Sequence, residues 1–369
     1  MVSKLIDVVD LIAGYAFKSR DFGTYPDKVI KITQINPPLV DLKNATGINL
    51  QKYNRSKLEK YIAKKGDFVL AMTGATIGKI GRIEEGEAYI NQRVLMFKPK
   101  SNVDSDFIYY VLQSYEFSQY VLNHIDSESA QPNISANTIG NFEFDLPDII
   151  LQRKIGTLLR NFDEKAELNR RINDNLLQQV FTLFDNQFSD ITAGSCSVSD
   201  YILPKRGRGL LSKDAIKGDV PVVAGGLEPA TYHNAANTAS PVITISASGA
   251  NAGFVRLWNI PVWSSDSSFI DSSITDFVYF WFVLLKKRQD EIYSSQTGSA
   301  QPHIYPQNIG SLPICELDMS EVKQYNDLVT PLFIKIGANE SENLKLAHLR
   351  DTLLPKLMAV EIDLDSLNV

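Results

Sequence analysis

The chain has 369 residues, 44% hydrophobic and 22% charged, with a net charge of −6 at pH 7. That length exceeds one compact domain, and the composition excludes a disordered or collagenous chain while leaving apolar material for two modest cores. The acidic balance does not exclude nucleic acid, because phosphate binding depends on where positive charge sits.

At the N-terminus, Met1–Asp10 carries aspartates and no signal-peptide pattern. The nearest approach to a membrane-length apolar run, Phe277–Leu285, stops at Lys286-Lys287-Arg288. Cys196 and Cys315 are far apart and lack a C-x-x-C spacing, which fits a reducing compartment. A cytoplasmic protein without membrane contact is expected. Asn36-Pro37-Pro38-Leu39 approaches an amino-methyltransferase signature, but Leu39 replaces the aromatic residue that would stack on a flipped base, so a proline-rich turn is expected. Between Lys52 and Lys65 six cations (Lys52, Arg55, Lys57, Lys60, Lys64 and Lys65) face the single acid Glu59, with Tyr53 and Tyr61 interleaved. The β-like run Phe68–Met72 leads into Thr73-Gly74-Ala75-Thr76-Ile77-Gly78-Lys79-Ile80. This resembles a P-loop but has three residues between the glycines, and Ile80 stands where Ser or Thr should hold magnesium; it reads as a glycine turn. Asn91-Gln92-Arg93 and a helical stretch, Phe107–His124, follow.

The same series then recurs. Ser248-Gly249-Ala250-Asn251-Ala252-Gly253 repeats the glycine turn at an offset of 249 − 74 = 175, and Asp266-Ser267-Ser268 falls opposite Asn91-Gln92-Arg93 at that offset. Asp276-Phe277-Val278-Tyr279 repeats Asp106-Phe107-Ile108-Tyr109, and Ser299-Ala300-Gln301-Pro302 repeats Ser129-Ala130-Gln131-Pro132. Collinear matches mean a duplicated unit. The second copy has its own strand-like Pro241–Ile245, helical Phe277–Tyr293, and basic stretch Lys205, Arg206, Arg208, Lys213 and Lys217 with one acid, Asp214. Either basic cluster alone fits a solvated face as well as a phosphate contact. One in each copy, on backbone expected to be non-helical, favours DNA.

Each copy ends in a long helical pattern. In the first, Ile155, Phe162, Asn169, Leu176 and Leu183 repeat by seven beside Leu159, Ala166, Asn173 and Val180. In the second, Val322, Val329, Ile336, Asn343 and Arg350 repeat beside Tyr325, Leu332, Asn339, Leu346 and Leu353. Asparagines in the seams suit one specific register, and Pro331 is expected to kink or break the second helix. Glu321-Val322-Lys323 sits at that helix start and does not read as a nuclease motif. His124, His233, His303 and His348 are scattered without metal-ligand spacing.

The expected architecture is mixed α/β, two domains in tandem separated by two long helices pairing as an antiparallel coiled coil. The boundaries are 1–148 for the first domain, 149–186 for the first helix, 187–318 for the second domain, and 319–369 for the second helix and tail. No nucleophile–base constellation emerges. A free-standing DNA-modifying enzyme would need cofactor and catalytic motifs, and a coiled-coil adaptor would leave the duplicated basic domains without a role.

Three segments carry a family resemblance: Gly14-Tyr15-Ala16-Phe17-Lys18-Ser19, Leu151-Gln152-Arg153-Lys154-Ile155, and the closing run from Glu342-Asn343-Leu344 to Leu353-Leu354-Pro355-Lys356-Leu357-Met358. With the tandem arrangement, the chain resembles the specificity subunits of type I restriction–modification systems. Ala359-Val360-Glu361-Ile362 departs from the Gly-Glu-Ile with which that family often continues, and the second domain lacks a good copy of the Gly14–Ser19 motif. The resemblance implies two target-recognition domains, each reading half of a bipartite DNA target. It implies helices that set the half-site spacing and dock two modification (methyltransferase) subunits, which bind S-adenosylmethionine, with two restriction subunits completing the assembly. This chain would hold no cofactor or metal and would not be a catalyst. The candidate contacts of the first domain are Lys18, Arg20, Lys52, Arg55, Lys57, Lys60, Thr73, Gly74, Asn91, Gln92 and Arg93. Those of the second are Lys205, Arg206, Arg208, Ser248, Gly249, Asp266 and Ser268. Leu159, Phe162, Asn169, Leu176, Ile336, Asn343 and Leu346 are the candidates for helix pairing.

Overall fold

The computed structural model describes residues 2–126, 132–192, 194–298, 301–359 and Ile362. The repeated Ser129–Gln131 and Ser299-Ala300, and most of the exit after Ala359, lie outside the described residues. Two compact units make up the chain: Met1–Glu164 with Leu346–Val369, and Lys165–Lys345. These boundaries cut through both long helices, where the sequence pattern placed whole helices between domains. The physical reason is that opposite ends of each helix feed different cores.

In the first unit a six-stranded sheet runs Val9–Ala13, Val94–Pro99, Phe68–Ala71, Ile80–Arg82, Leu39–Val40, Ile35–Asn36. Its central strands are buried on both faces, so they read as continuous apolar runs. Phe68, Leu70, Leu95 and Phe97 enter one core, with the helices, while Val69, Ala71, Val94 and Met96 enter another. A four-stranded sheet, Thr46–Ile48, Phe22–Ile30, Glu87–Ile90, Ile62–Lys64, adds a third, aromatic-rich core. Asn36 and Leu39 pair across the diproline in a tight hairpin, as the turn reading expected.

The second unit has a four-stranded sheet, Lys205–Arg206, Ser267–Ile270, Val242–Ser246, Val255–Trp258, and a three-stranded one, Thr231–His233, Val220–Val223, Trp263–Ser264. Helix Val278–Lys287 is its apolar centre, with every residue from Val278 to Leu285 buried. Both intermediate helical stretches are split. Ser105–Val111 gives way to Tyr115–Asn123, where Ser114 caps the new helix by accepting from the Phe117 N–H. Val278–Lys287 likewise breaks before Gln289–Ser294.

The long helices are Ile149–Gln187 and Met319–Met358. Each starts on an aspartate whose Oδ1 accepts from early helix N–H groups, Asp148 from Ile150 and Leu151, and Asp318 from Ser320. Every seam position named above is buried or half-buried. In the second unit Val180, Phe184, Val322, Tyr325 and Val329 share one core, with Leu176 packed against it. In the first, Ile155, Leu159, Leu354 and Leu357 do so, with Phe162 packed alongside; Leu346 is half-buried. Asn169 donates to Glu342 Oε2 at 2.7 Å and to Asn343 Oδ1 at 2.9 Å; Asn339 donates to Asn173 Oδ1 at 2.7 Å, and Asn173 to the Ile336 carbonyl at 3.3 Å. Partners descend as the first helix ascends, so the pairing is antiparallel. The second helix does not break at Pro331: Met319–Met358 is assigned as one helix. Buried Val329 and Phe333 on either side hold it by tertiary packing that outweighs one lost backbone bond.

The motif opening the first helix is a structural lock. Gln152 is buried, accepting from the Asp104 N–H at 2.9 Å and donating to the Pro147 carbonyl at 2.8 Å. About three turns further, Asp163 accepts from the Tyr110 hydroxyl at 2.7 Å and from Arg350 at 2.8 Å, tying the Ser105–Val111 helix, the first long helix and the closing run together.

Candidate nucleic-acid interface

The Gly14–Ser19 motif is explained by close packing. A Cβ on Gly14 would lie 2.0 Å from the Asn91 carbonyl oxygen, so only glycine lets this segment pass the Asn91-Gln92-Arg93 loop. Tyr15 and Phe17 then pack edge-on against Tyr53, with ring centroids 5.9 and 5.5 Å away. The Tyr53 hydroxyl accepts from the Lys18 N–H at 3.2 Å and donates to Asp21 Oδ2 at 2.6 Å. Burial first, then the hydrogen bond to the Asp21 carboxylate, push the Tyr53 phenol above its ordinary pKa.

This arrangement brings two separate sequence predictions together. Lys18, Arg20, Lys52 and Lys57 line one open cavity of about 230 Å³, floored by Tyr15, Tyr53 and Leu58 and edged by Asp21 and Asn54. All four cations are exposed, and among the described residues none is held in an ion pair. Their neighbours differ. Arg55 is bound to Asp27 at 3.1 Å, Lys64 reaches Glu87 at 3.7 Å, and the Lys60 ammonium lies 4.9 Å from the Tyr61 ring. The segment is also not the non-helical backbone expected: Arg55–Leu58 forms a short helix capped by Asn54, followed by a 3-10 turn. Tyr15, Asp21 and Asn54 were missed as lining residues. Interleaved Tyr53 was the available signal.

The duplicated glycine turns are built alike. Gly74 and Gly249 take φ of 74° and 83°, and Gly78 and Gly253 take 82° and 90°, all in the left-handed region. The Gly74 N–H donates to the Pro132 carbonyl at 3.1 Å, as Gly249 does to Pro302 at 3.0 Å. Gly78 closes on Ala71 at 2.9 Å, as Gly253 does on Ser246 at 2.7 Å. Not every candidate side chain is open to a ligand. Thr73 is buried, its hydroxyl donating to Pro132, and Ser268 is buried in the sheet opposite Arg206 and Ile245, so both belong to the framework. Asn91 is half-buried, while Gln92 and Arg93 are exposed.

In the second unit Arg206 donates to Asp266 Oδ1 at 2.7 Å, and the Ser248 hydroxyl donates to Asp266 Oδ2. Lys205 reaches Ser273 Oγ at 3.0 Å, and its stretch begins as an edge strand, again unlike the loop expected. The Arg208 backbone is pinned, its N–H donating to Ser264 and its carbonyl accepting from the Trp263 indole, which leaves the side chain exposed. Among the described residues no group of three or more His, Cys, Asp or Glu is placed to hold a metal, and no helix is long and apolar enough to cross a membrane. His124 lies stacked on Tyr120, and His233 is buried, accepting from the Ile216 N–H.

Comparison with known proteins agrees with this framework. Residues 1–178 match the model of the type I restriction modification DNA specificity domain. Over 386 aligned residues the chain is 23% identical to the type I restriction enzyme MjaIX specificity subunit of Methanocaldococcus jannaschii, covering 89% of this chain and 86% of the relative. It is 25% identical to the HindI specificity subunit of Haemophilus influenzae, over 59% of this chain and 49% of that one. The crystal structure of the type I restriction-modification S subunit from M. genitalium has the same fold, with a TM-score of 0.59 at 18% identity, covering 97% of this chain and 95% of that one. These findings support a specificity subunit of a type I restriction–modification system, with its DNA specificity domain matched over residues 1–178.

Proposed function

We propose that each unit reads one half of an asymmetric bipartite DNA sequence in the cytoplasm, and that the paired helices set the half-site spacing. The helices also dock two modification subunits, which bind S-adenosylmethionine and methylate the target, and two restriction subunits complete the assembly. Catalysis lies with those partners; this chain selects the site. The observation that carries the reading is the cavity where Lys18, Arg20, Lys52 and Lys57 converge around the single acid Asp21, with none of the four in an ion pair among the described residues. Exposed cations around an open cavity suit a phosphate oxygen, with the exposed Gln92 and Arg93 in the adjoining loop for base edges. A common turn framework with different side chains in the two units suits two readers of different sequence. Apolar residues exposed on the long helices, among them Leu168, Ile334 and Leu344, suit partner docking.

The test is a salt titration of duplex binding by the full-length chain and its Lys18→Ala/Lys57→Ala variant. Two lost phosphate contacts should flatten the slope of log K against log salt by about 1.8. An unchanged slope and affinity would remove the cavity from the interface. A changed target preference at fixed slope would make these side chains base readers. Binding of S-adenosylmethionine by the isolated chain would overturn the division of labour.

A further inference from the structure

The antiparallel order of Lys205–Arg206, Ser267–Ile270 and Val242–Ser246 brings three segments to one end of a sheet. Arg206 closes the edge strand, Asp266 directly precedes the second, and Ser248 lies just past the third. Each Asp266 carboxylate oxygen holds one donor there, Arg206 Nη2 on Oδ1 at 2.7 Å and the Ser248 hydroxyl on Oδ2. The carboxylate is therefore fixed in orientation, and it fixes the guanidinium in turn. Yet the Arg206 and Asp266 side chains remain 44% and 39% exposed. An ion pair so exposed contributes little to stability. What it does supply is aim. Among the described residues only one of the guanidinium's five N–H donors is engaged, which leaves the second Nη2 hydrogen free to form a fork with Nη1 or with Nε, on whichever edge Asp266 does not occupy.

Such a fork matches O6 and N7 of guanine in the major groove. An unaccompanied aspartate would repel DNA, whereas Asp266 arrives neutralised by the arginine it orients. The position is equivalent in both units. Asn91 follows strand Glu87–Ile90, which pairs in parallel with Phe22–Ile30; Asp266 comes just after Trp263–Ser264, which pairs in parallel with Val220–Val223. Asn91, however, turns its Oδ1 into the protein, so the same place in the framework carries different chemistry.

Resting on the DNA-reading function proposed above, we infer that Arg206 reads a guanine in the half-site of the second unit, with Asp266, held by Ser248, as its positioning residue. The experiment selects duplexes, from a pool randomised over both half-sites, with the full-length chain assembled with its modification subunits. The wild type enriches guanine at one position of one half-site. Arg206→Lys keeps the charge but loses the fork, and cuts discrimination at that position by about 5- to 150-fold, leaving the other half-site and the salt slope unchanged. Asp266→Asn and Ser248→Ala lower the same discrimination by a smaller factor and touch no other position. An unaltered base profile for Arg206→Lys overturns the inference. So does a loss uniform over all sequences with a flatter salt slope, which marks a phosphate contact. A wild-type chain that enriches no sequence refutes the DNA-reading function itself, and does so without any variant.

Discussion

Replacing Asn173 by leucine should destabilise the second unit more than its half-buried position suggests. Asn339, only 1% exposed, donates to Asn173 Oδ1 at 2.7 Å, and its own Oδ1 is buried without a partner. In the Asn173→Leu variant the Asn339 amide would be buried with neither its donor nor its acceptor satisfied. The lost hydrogen bond, worth about 1 kcal/mol, and the stranded donor, about 1–3 kcal/mol, together give a loss of about 2–4 kcal/mol. Asn339→Leu strands the Asn173 oxygen but also removes an oxygen that is already unpaired, so its loss should be about 1 kcal/mol. Changing both leaves an apolar layer and should cost about nothing or stabilise slightly. The cycle thus predicts a coupling of at least about 3 kcal/mol. Urea unfolding of the wild type, both single variants and the double variant measures it. A double variant whose loss equals the sum of the singles would refute the claim that these asparagines act as one register-setting pair.

Gly14→Ala should selectively destabilise the first unit, on the order of 1–3 kcal/mol, because the obstructing atom is a backbone oxygen 2.0 Å away; limited proteolysis should cut the first unit earlier and leave the second unchanged. The Asn169 side chain, then the Lys165 charge, hold the Glu342 carboxyl below its ordinary value. Its contribution is complete above the ordinary carboxylate pKa and is lost as pH falls through the lowered one, so the wild-type melting temperature should fall more steeply than that of Glu342→Gln below about pH 4.5. Matched seven-residue insertions, near Gln178 in the first helix and near Asp327 in the second, keep the seams in phase and lengthen each helix by ~10 Å. The preferred spacer in a methylation assay should grow by about three base pairs, with both half-sites unchanged; an unmoved spacer would show that the helices dock partners without setting the distance.

Periodic and repeated features were legible in the sequence. The glycine turns at Gly74–Gly78 and Gly249–Gly253 could be matched because left-handed backbone demands glycine whatever surrounds it. The seams could be matched because burial on a helix repeats with the helix itself, and every named seam position is indeed withdrawn from solvent. The split after Val111 was also local, since Ser114 is an ordinary cap, but the apolar pattern runs across it and hid it. Other features had no local signature. Which lysines are free and which are paired depends on acids far along the chain: Arg55 meets Asp27 and Lys64 meets Glu87, while Lys18 and Lys57 meet each other's neighbourhood through Tyr53. Thr73 opens a glycine turn and Ser268 lies in a serine-rich run, both of which read as exposed, and only the tertiary packing turned them inward. Pro331 stayed in its helix because Val329 and Phe333 anchor the flanking turns in a core assembled from distant segments. What the sequence by itself determined was the duplicated framework and the two helix seams, because those rest on backbone geometry and periodicity, which neighbouring residues encode. The tertiary structure alone decided which charges remain available and which carboxylate orients Arg206, because ion pairing depends on distances of a few ångströms between residues that only the folded chain brings together.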